Sequence, residues 1–219
     1  MTQESIRSLK EDVLNTALWL SENGYFGGRL NAGGNVSVRV PGKELFAITP
    51  SSVPYTEITP DEICLMDFQL NRLEGDLKPS MEAGMHAAIY EARADVGAVV
   101  HTHQHHASIF SVLNKPIPAL FDEITLYIGD EVAVVPYALS GSDALAENVG
   151  KAVKNDCFCY IMQNHGALNL GRTLKEGLRN AELLEKLAKV YHSALSTGLE
   201  ITTLPAESLA FWKDARKIS

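Results

Sequence analysis

The sequence predicts a mixed α/β protein, in which helices flank a largely antiparallel sheet and residues 1–219 form one domain. Helix-like and strand-like segments alternate along the chain, with short spacings typical of hairpins. No internal repeat, low-complexity stretch or long Pro/Gly/Ser-rich linker divides the 219 residues. Apolar residues form 46% of the chain, which is enough for one substantial core.

The first predicted element is an amphipathic helix over residues 4–23, because apolar residues recur at helical spacing from Ile6 to Leu20. The "NG" pair that follows is a typical helix stop. Beyond the loop "GGRLNAGGN", the segments "VSVRV" and "ELFAIT" alternate in polarity on either side of "PGK". This pattern predicts a β-hairpin.

The central part of the chain leads from this hairpin to a buried strand. In order, the predicted elements are a capped helical turn "ITPDEI", a strand "CLMDF", a helix "SMEAGMHAAIYEAR" and a strand "VGAVV". Pro79 and Ser80 are residue types that commonly begin a helix, so we expect the helix to start there.

Helices and strands also alternate in the second half of the chain. The predicted elements are a helix "HHASIFSVLN", a strand "EVAVVPY", a helix "SDALAENVGKAVK", a strand "CFCYIMQ", a long helix "TLKEGLRNAELLEKLAKVYHSALSTG" and a short helix "ESLAFWKDA". Either Ser140 or Ser142 is expected to cap the helix that contains "SDALAENVGKAVK".

The net charge of -8 argues against a nucleic-acid or anionic-membrane partner, because either needs clustered Lys and Arg residues. No run of 18 apolar residues occurs, and the polar N-terminus lacks the apolar core of a signal peptide. Cys64, Cys157 and Cys159 lie in apolar contexts that suit buried thiols in a reducing compartment. We therefore expect a soluble, cytoplasmic protein that binds neither nucleic acid nor a membrane.

The stretch "VVHTHQHH" places four histidines directly after an apolar pair. His101 and His103 are two residues apart, so on a strand their side chains point to the same face. His105 and His106 are expected to begin the next helix, where they cap it, shuttle protons or face solvent. The first pair predicts part of a metal site, and a surface histidine cluster is the alternative.

Two other segments offer the remaining ligands. His165 follows the apolar run "CFCYIM" at a predicted strand exit. Glu82 lies in the first turn of a predicted helix, with His86 one turn further along the same face. Catalytic zinc commonly takes three protein ligands and keeps one position open, which these residues could complete. Taken singly, Glu82 is more simply explained as a capping or dipole-matched residue at a helix start, and His165 as a turn residue before glycine.

Loops rich in Gly, Asn and Ser predict a site for a phosphate or a carboxylate. Glycine lets the backbone approach an anion closely, while Asn, Ser and main-chain N–H groups donate hydrogen bonds to it. Taken singly, each residue is more simply explained as a turn residue. The candidate residues are Gly34, Asn35, Ser51, Ser52 and Ser80.

These motifs together resemble the class II aldolase/adducin family, most closely its L-fuculose-phosphate-aldolase-like branch. The resemblance implies a three-layer α/β/α fold around a mainly antiparallel central sheet. It also implies a four-fold homotetramer with its active site at a subunit interface. It covers nearly the whole chain through motifs in the family's order: "GGNVSVR", "ITPSSVPY", "KPSMEAGMH", "DVGAVVHTH", "VVPYALSGS", "NHGAL" and "AELLEKLAKVYHSA".

The same resemblance implies one divalent ion per subunit, usually zinc, held by His101, His103 and His165. It implies that Glu82 is a fourth ligand, which can leave the metal and act as the acid/base. Manganese, cobalt and iron suit the same imidazole and carboxylate ligands. The residues that it places in the substrate's phosphate site are Gly34, Asn35, Ser51, Ser52 and Ser80.

Such a site suits reversible retro-aldol cleavage of a small ketose phosphate or a related hydroxy-carbonyl compound. A divalent ion bound through the substrate's hydroxyl and carbonyl oxygens is a Lewis acid, which stabilises the enediolate left when the carbon–carbon bond breaks. Glu82 would transfer the proton of that intermediate. Away from the metal, in a drier pocket, the pKa of Glu82 would rise toward neutral pH.

Several positions depart from the L-fuculose-phosphate-aldolase pattern. Met81 stands where those enzymes have a second serine, and Ser52 where they usually have glycine, so the anion could be a phosphate or a carboxylate. Asp122 and Glu123 occupy the region in which the aldolases place a Tyr proton donor from a neighbouring subunit. Because an acidic residue there resembles the epimerase arrangement, both are candidate catalytic residues.

Three functions are consistent with these patterns. The leading one is a zinc-dependent aldolase that acts on a small anionic substrate. The second is a decarboxylase, epimerase or dehydratase with the same fold and metal, acting on a sugar acid or sugar phosphate. The third is a non-enzymatic adducin-like module, which is disfavoured because Glu82 and the three candidate histidines are all present.

Overall fold

The computed structural model describes residues 3–27 and 33–218. Two 3₁₀ turns span Tyr55–Glu57 and Pro60–Glu62. The helices are α1 (Gln3–Glu22), α2 (Ala83–Ala92), α3 (His105–Leu113), α4 (Asp122–Ile128), α5 (Asp143–Ala152), α6 (Leu174–Ser196) and α7 (Ala206–Ile218). The strands are β1 (Asn35–Arg39), β2 (Leu45–Ile48), β3 (Cys64–Asp67), β4 (Arg72–Glu74), β5 (Ala98–Thr102), β6 (Ile117–Pro118), β7 (Glu131–Val135), β8 (Cys159–Met162) and β9 (Gly166–Gly171).

The strands form one nine-stranded sheet in the order β4-β3-β2-β1-β5-β9-β8-β7-β6. Strands β7 and β8 run parallel, with Ala133 paired to Tyr160. The other neighbouring strands run antiparallel. The α/β class is confirmed, but the sheet is mixed, which corrects the prediction of a mainly antiparallel sheet.

The parallel pair results from the connection between β7 and β8. Helix α5 lies in this connection and packs on β7. A crossover of this kind returns the chain to the end of the sheet at which β7 began, so β8 enters in the same direction. The sequence predicts the strand, the helix and the following strand correctly. This strand-helix-strand order could have predicted the parallel pair, because parallel neighbours need a crossover connection that is usually a helix.

The centre of the sheet is buried on both faces. Every residue of β5 and of β9 is buried. Val99 packs with residues of α2 and α5, whereas Val100 packs with residues of α1, as the alternation of side chains along a strand requires. Helix α6 packs on β5 and β9, and α3 packs on α6. These contacts fix the strand from which His101 projects.

Strand β9 is absent from the sequence prediction. Its sequence "GALNLG" has glycine at both ends and Asn169 inside, residue types that are depleted in strands. Pairing with both β5 and β8 overrides these weak propensities, and the Asn169 amide donates to Val100 O and Thr102 Oγ1. Strands β4 and β6 are also unpredicted, because three and two residues are too few to show alternation.

The C-terminal helix α7 packs against α4, a short helix that the sequence analysis does not predict. Arg216 is only 3% exposed, and its guanidinium donates to Thr125 O at 2.5 Å and to Asp130 Oδ1 at 2.8 Å. Trp212 Nε1 donates to Asp122 Oδ1 at 2.6 Å. These contacts fix α7 on the segment that contains the predicted acidic pair.

The cysteines Cys64, Cys157 and Cys159 are buried and free, as expected for structural thiols. Burial raises the pKa of each thiol, which keeps it protonated at neutral pH. Within residues 3–27 and 33–218, no helix combines the length and apolar character that crossing a membrane requires.

Ser142, rather than Ser140, caps helix α5, because its Oγ accepts a hydrogen bond from Leu145 N–H at 3.2 Å. Ser142→Ala is expected to lower the free energy of unfolding by about 1 kcal/mol, since this N–H loses its partner. Urea denaturation monitored by circular dichroism measures the change. Ser140→Ala is the matched control, with an expected change within about 0.5 kcal/mol. A larger loss in the control than in Ser142→Ala would reverse the cap assignment.

Candidate metal and substrate site

Strand β5 brings His101 and His103 to one place. His101 is fully buried and pairs with Asn35 of β1 on one side and Leu168 of β9 on the other. His103 lies just beyond the strand, where its N–H donates to Tyr25 O at 2.7 Å. The two Nε2 atoms are 3.0 Å apart. The predicted shared face of these side chains is therefore present in the structure.

His165 reaches the same place from the turn between β8 and β9. Asn164 in this turn has φ +52°, a left-handed conformation that Asn tolerates better than most residues. The His165 ring centroid lies 4.9 Å from that of His101. Gly166 leaves room for this approach, because a Cβ atom there would lie 2.5 Å from His103 Cδ2 and from Thr102 O.

Glu82 completes the cluster from the start of helix α2. It occupies the N-cap position without using its side chain as a cap. Its Oε2 lies 3.2 Å from His101 Nε2, and its Oε1 lies 3.1 Å from His165 Nε2. One candidate ligand atom from each of the three histidines lies within 4.8 Å of the others. The structure thus brings together all four residues that the sequence analysis selected as candidate ligands.

The donor atoms of this cluster suit a divalent cation. His101 Nδ1 lies 2.9 Å from Ala167 O, so Nδ1 carries the proton and Nε2 presents a lone pair to the cluster. Glu82 Oε1 is buried and has no hydrogen bond of acceptable geometry, although His165 Nε2 lies 3.1 Å away. The lone pair of His101 Nε2 and the unsatisfied carboxylate oxygen lie close together, and a shared cation would stabilise both.

The electrostatics favour the protonation states that bind metals. Burial, followed by the neighbouring His101 and His165, lowers the pKa of His103 to about 3. Burial also lowers the pKa of His101, against the opposing effect of Glu82. For Glu82, burial raises the pKa, but His101, His165 and the Asn35 amide together outweigh it and lower the pKa below its usual value. Neutral imidazoles and an ionised carboxylate are the ligand forms of these groups.

A chain of buried side chains continues behind Glu82. Asn35 Nδ2 donates to Glu82 Oε2 at 2.8 Å, and Asn35 Oδ1 lies 2.5 Å from His86 Nε2. His86 Nδ1 lies 2.6 Å from Ser37 Oγ, which lies 2.7 Å from Tyr90 Oη. His86 was predicted to lie on the same helix face as Glu82, with no role assigned to it. Its contact with Asn35 joins positions 51 residues apart, so no local pattern could have indicated it.

A cavity of about 190 Å³ opens in front of the four-residue cluster. Among the described residues, its wall contains no Lys or Arg, and it does contain the hydroxyl groups of four serines. A larger cavity of about 800 Å³, between α1 and the start of α6, contains none of the histidines. The residues that line the smaller cavity are Gly33, Gly34, Asn35, Pro50, Ser51, Ser52, Ser80, Met81, Glu82, His103, Ser140 and His165.

The predicted anion-site residues all line this cavity, but their side chains differ in availability. The Ser51 and Ser52 hydroxyls lie 3.2 Å apart, and Ser52 adopts a left-handed φ of +61°. Ser80 Oγ accepts from Glu82 N–H at 3.2 Å. The Asn35 amide faces Glu82 and His86 instead of the open space.

Other predicted residues lie outside this arrangement. Asp122 and Glu123 begin helix α4 and, in the described part of the chain, do not line the cavity. Asp122 accepts the hydrogen bond from Trp212. His106 Nδ1 lies 2.6 Å from Glu185 Oε1, at the start of α3 and away from the four-residue cluster. Within a single copy of the chain, neither residue of this acidic pair therefore reaches the described wall of the cavity.

Comparison with known proteins places this geometry in a family. Residues 11–192 match the family model described as Class II Aldolase and Adducin N-terminal domain. The L-fuculose phosphate aldolase of Haemophilus influenzae is 36% identical over 203 residues, covering 92% of this chain and 90% of that protein. A 5-methylthioribulose-1-phosphate/5-deoxyribulose-1-phosphate aldolase of Escherichia coli is 35% identical over 185 residues, covering 84% and 83%. A solved structure of an L-fuculose 1-phosphate aldolase superposes with a TM-score of 0.89 at 33% identity, covering 96% of both chains.

The matched segment includes the whole four-residue cluster. It contains β1, α2, β5 and the turn between β8 and β9, the elements that position these side chains and Asn35. The likeness extends over nearly the full length of the chain in sequence and in structure. The resemblance inferred from the motifs is therefore confirmed, and the chain belongs to the class II aldolase and adducin family.

Proposed function

We propose that this protein is a zinc-dependent aldolase that cleaves a small ketose phosphate, or a related hydroxy-carbonyl compound, reversibly into two carbonyl fragments. The main support is the convergence of Glu82 with His101, His103 and His165 at the wall of a cavity lined by serines and glycines. The named activities of the similar proteins, which include aldolases of L-fuculose phosphate and 5-methylthioribulose 1-phosphate, support the same reaction class.

The three histidines and Glu82 would hold the metal ion. A bound divalent ion would polarise the substrate's carbonyl and hydroxyl oxygens and stabilise negative charge that develops on them. Zinc is our choice because three nitrogen ligands and a carboxylate are a common zinc set. Manganese, cobalt and iron accept the same donors.

Glu82 is the proposed acid/base. In the cleavage direction, a second carboxylate takes the proton of the hydroxyl that becomes the aldehyde oxygen, and the electron pair of the broken carbon–carbon bond passes to the fragment that contains the ketone. Glu82 in its protonated form delivers a proton to the carbon that receives this pair, and in the condensation direction its carboxylate removes the proton again. Asn35 donates to Oε2 of the same carboxylate at 2.8 Å, which keeps the group oriented toward the cavity. The serine hydroxyls and the Gly34 main chain would hold the anionic end of the substrate.

We also infer that the active unit is a homotetramer, with residues 1–219 of each subunit forming one three-layer domain. Large apolar side chains near the cavity are exposed, among them Met81 at 59% and Leu139 at 69%. Helix α3, which ends in the exposed Val112 and Leu113, is tied to the His165 turn because Asn164 N–H donates to Ser111 O at 3.0 Å. A second copy would cover this apolar rim, and its Asp122 or Glu123 is the candidate source of the missing acid.

A decarboxylase, epimerase or dehydratase with the same metal site is the second candidate function. The observation that favours it is Asp122–Glu123 in the region where the aldolases are expected to place a tyrosine. The non-enzymatic alternative is weaker, because a binding module has no need for four converging ligand groups. A cytoplasmic location without nucleic-acid or membrane partners remains our proposal, supported by the net charge of -8 and the three buried, free thiols.

The zinc-loaded protein is expected to release dihydroxyacetone phosphate from at least one member of a panel of ketose 1-phosphates. A coupled assay with glycerol-3-phosphate dehydrogenase follows this release, and the metal-stripped protein is the control. Metal-dependent release would establish the aldolase reaction and rank the sugars. Carbon dioxide or an epimerised substrate as the only product would replace it with the second candidate.

His103→Ala is expected to lose most of the bound metal, because one of the three imidazole ligands is removed. His106→Ala is the matched control: it lies three residues further along the chain and bonds to Glu185, so it should retain the ion. Metal content per chain, measured by mass spectrometry after gel filtration, distinguishes the two. Equal metal content in both variants would contradict the ligand assignment.

Glu82→Gln is expected to lower kcat by a factor of about 100 to 10,000, the range that a general acid/base supplies. The carboxamide has nearly the same shape and retains an oxygen, so much of the metal should stay bound. Steady-state kinetics and metal content are measured on the same sample. Near-normal kcat with bound metal would remove Glu82 from the acid/base role.

Met81→Ser is expected to lower KM for a cleaved ketose phosphate about fivefold to tenfold, because a hydroxyl adds one hydrogen bond to a charged group. Leu73→Ser is the control: Leu73 is 53% exposed and does not line the cavity. An unchanged KM in Met81→Ser would indicate that the anion binds away from Met81.

A further inference from the structure

We propose that His86 is a positioning residue, which holds the Asn35 amide with its NH₂ group toward Glu82. The inference rests on the proposed function, because the orientation of Glu82 matters for its role in proton transfer. It concerns a residue that does not line the cavity, and whose ring nitrogens contact Ser37 and Asn35 instead of the side chains of the four-residue cluster.

The contacts of Asn35 leave one orientation of its amide. Asn35 Nδ2 lies 2.8 Å from Glu82 Oε2 and donates a hydrogen bond to it. The amide oxygen then faces His86 Nε2 at 2.5 Å. Because an amide oxygen cannot donate, His86 Nε2 must carry the proton in this contact.

The other ring nitrogen of His86 supports the same tautomer. Burial, together with the nearby His101, lowers the pKa of His86 to about 3, so the imidazole is neutral at physiological pH. With Nε2 protonated, Nδ1 is an acceptor, and the Ser37 hydroxyl 2.6 Å away must donate to it. Ser37 Oγ is then free to accept from the Tyr90 hydroxyl at 2.7 Å. All hydrogen bonds in the chain therefore run from Tyr90 toward Glu82.

A reversed direction would place acceptors against each other. If His86 carried its proton on Nδ1, the bare Nε2 would face Asn35 Oδ1, and the amide would rotate to present its NH₂ group to His86. Its oxygen would then lie against Glu82 Oε2, where two acceptors repel. His86 is 0% exposed and Asn35 is 6% exposed, which limits the access of water that could repair either contact. The His86 tautomer thereby controls how the carboxylate is held.

Substitution of His86 tests this role, because a residue that orients Glu82 should affect kcat much more than KM. His86→Leu removes the donor, so kcat should fall about tenfold to a hundredfold, as is typical for residues that orient metal-site ligands, while KM stays within about threefold. His86→Gln keeps an N–H donor and should recover much of that loss. Tyr160→Phe is the control for the loss of a buried hydrogen-bonding group outside this network, since the Tyr160 hydroxyl bonds to Asn155 and to Cys157 O. This variant should keep the wild-type kcat.

A second measurement tests the tautomer without any substrate. In the zinc-loaded protein labelled with ¹⁵N-histidine, the His86 ring should show a protonated Nε2 and an unprotonated Nδ1, with its signals assigned by their loss in His86→Gln. A protonated Nδ1 would overturn the proposal even if the protein is an active aldolase. Equal kcat values for His86→Leu, His86→Gln and wild type would also overturn it. Absence of turnover in wild type together with the expected tautomer would instead reject the proposed function and retain the orientation of Asn35.

Discussion

The pairing of β5 with β1 on one side and β9 on the other is the constraint on which the site depends. This register sets His101 opposite Asn35 and beside the carbonyl of Ala167. It therefore fixes both the ring that faces the cluster and the amide that holds Glu82. A slip of one residue would turn His101 to the opposite face of the sheet. Because β5 pairs with a strand on each side, two sets of backbone hydrogen bonds hold this register and the position of His101.

Charge balance is the second requirement of this buried cluster. Glu82 is 5% exposed, and a carboxylate buried without partners would be strongly unfavourable. The Asn35 amide donates to it and stabilises its ionised form, while burial keeps His101 and His103 neutral. The cluster thus has a net negative charge before an ion binds and a net positive charge with a divalent ion. An anionic substrate can then approach a cavity whose described wall has no cationic side chain.

The sequence predicted the parts of this arrangement that local patterns encode. Strand alternation places His101 and His103 on one face. The helix-start residues Pro79 and Ser80 placed Glu82 in the first turn of a helix, whereas α2 begins three residues later, at Ala83, with Glu82 as its N-cap. The pairing of β9 was not predictable, because "GALNLG" has a turn-like composition and becomes a strand through its neighbours. The Asn35–Glu82 hydrogen bond joins residues 47 positions apart. It depends on how the strands are ordered in the sheet, so no local sequence pattern could predict it. The strand-helix-strand order of β7, α5 and β8 did indicate a parallel pair. The prediction of a mainly antiparallel sheet followed instead from the short, hairpin-like spacings in the rest of the chain.

The ends of the sheet have a consequence for how copies of this protein can associate. Strand β6 is two residues long and contains Pro118, which has no N–H to donate, and strand β4 is three residues long with charged Arg72 and Glu74. Short, charged or proline-containing edges are poor templates for another strand. Extension of the sheet from chain to chain is therefore disfavoured at both edges. Copies are expected to associate through helices and loops, and the native fold offers little template for growth into β-fibrils.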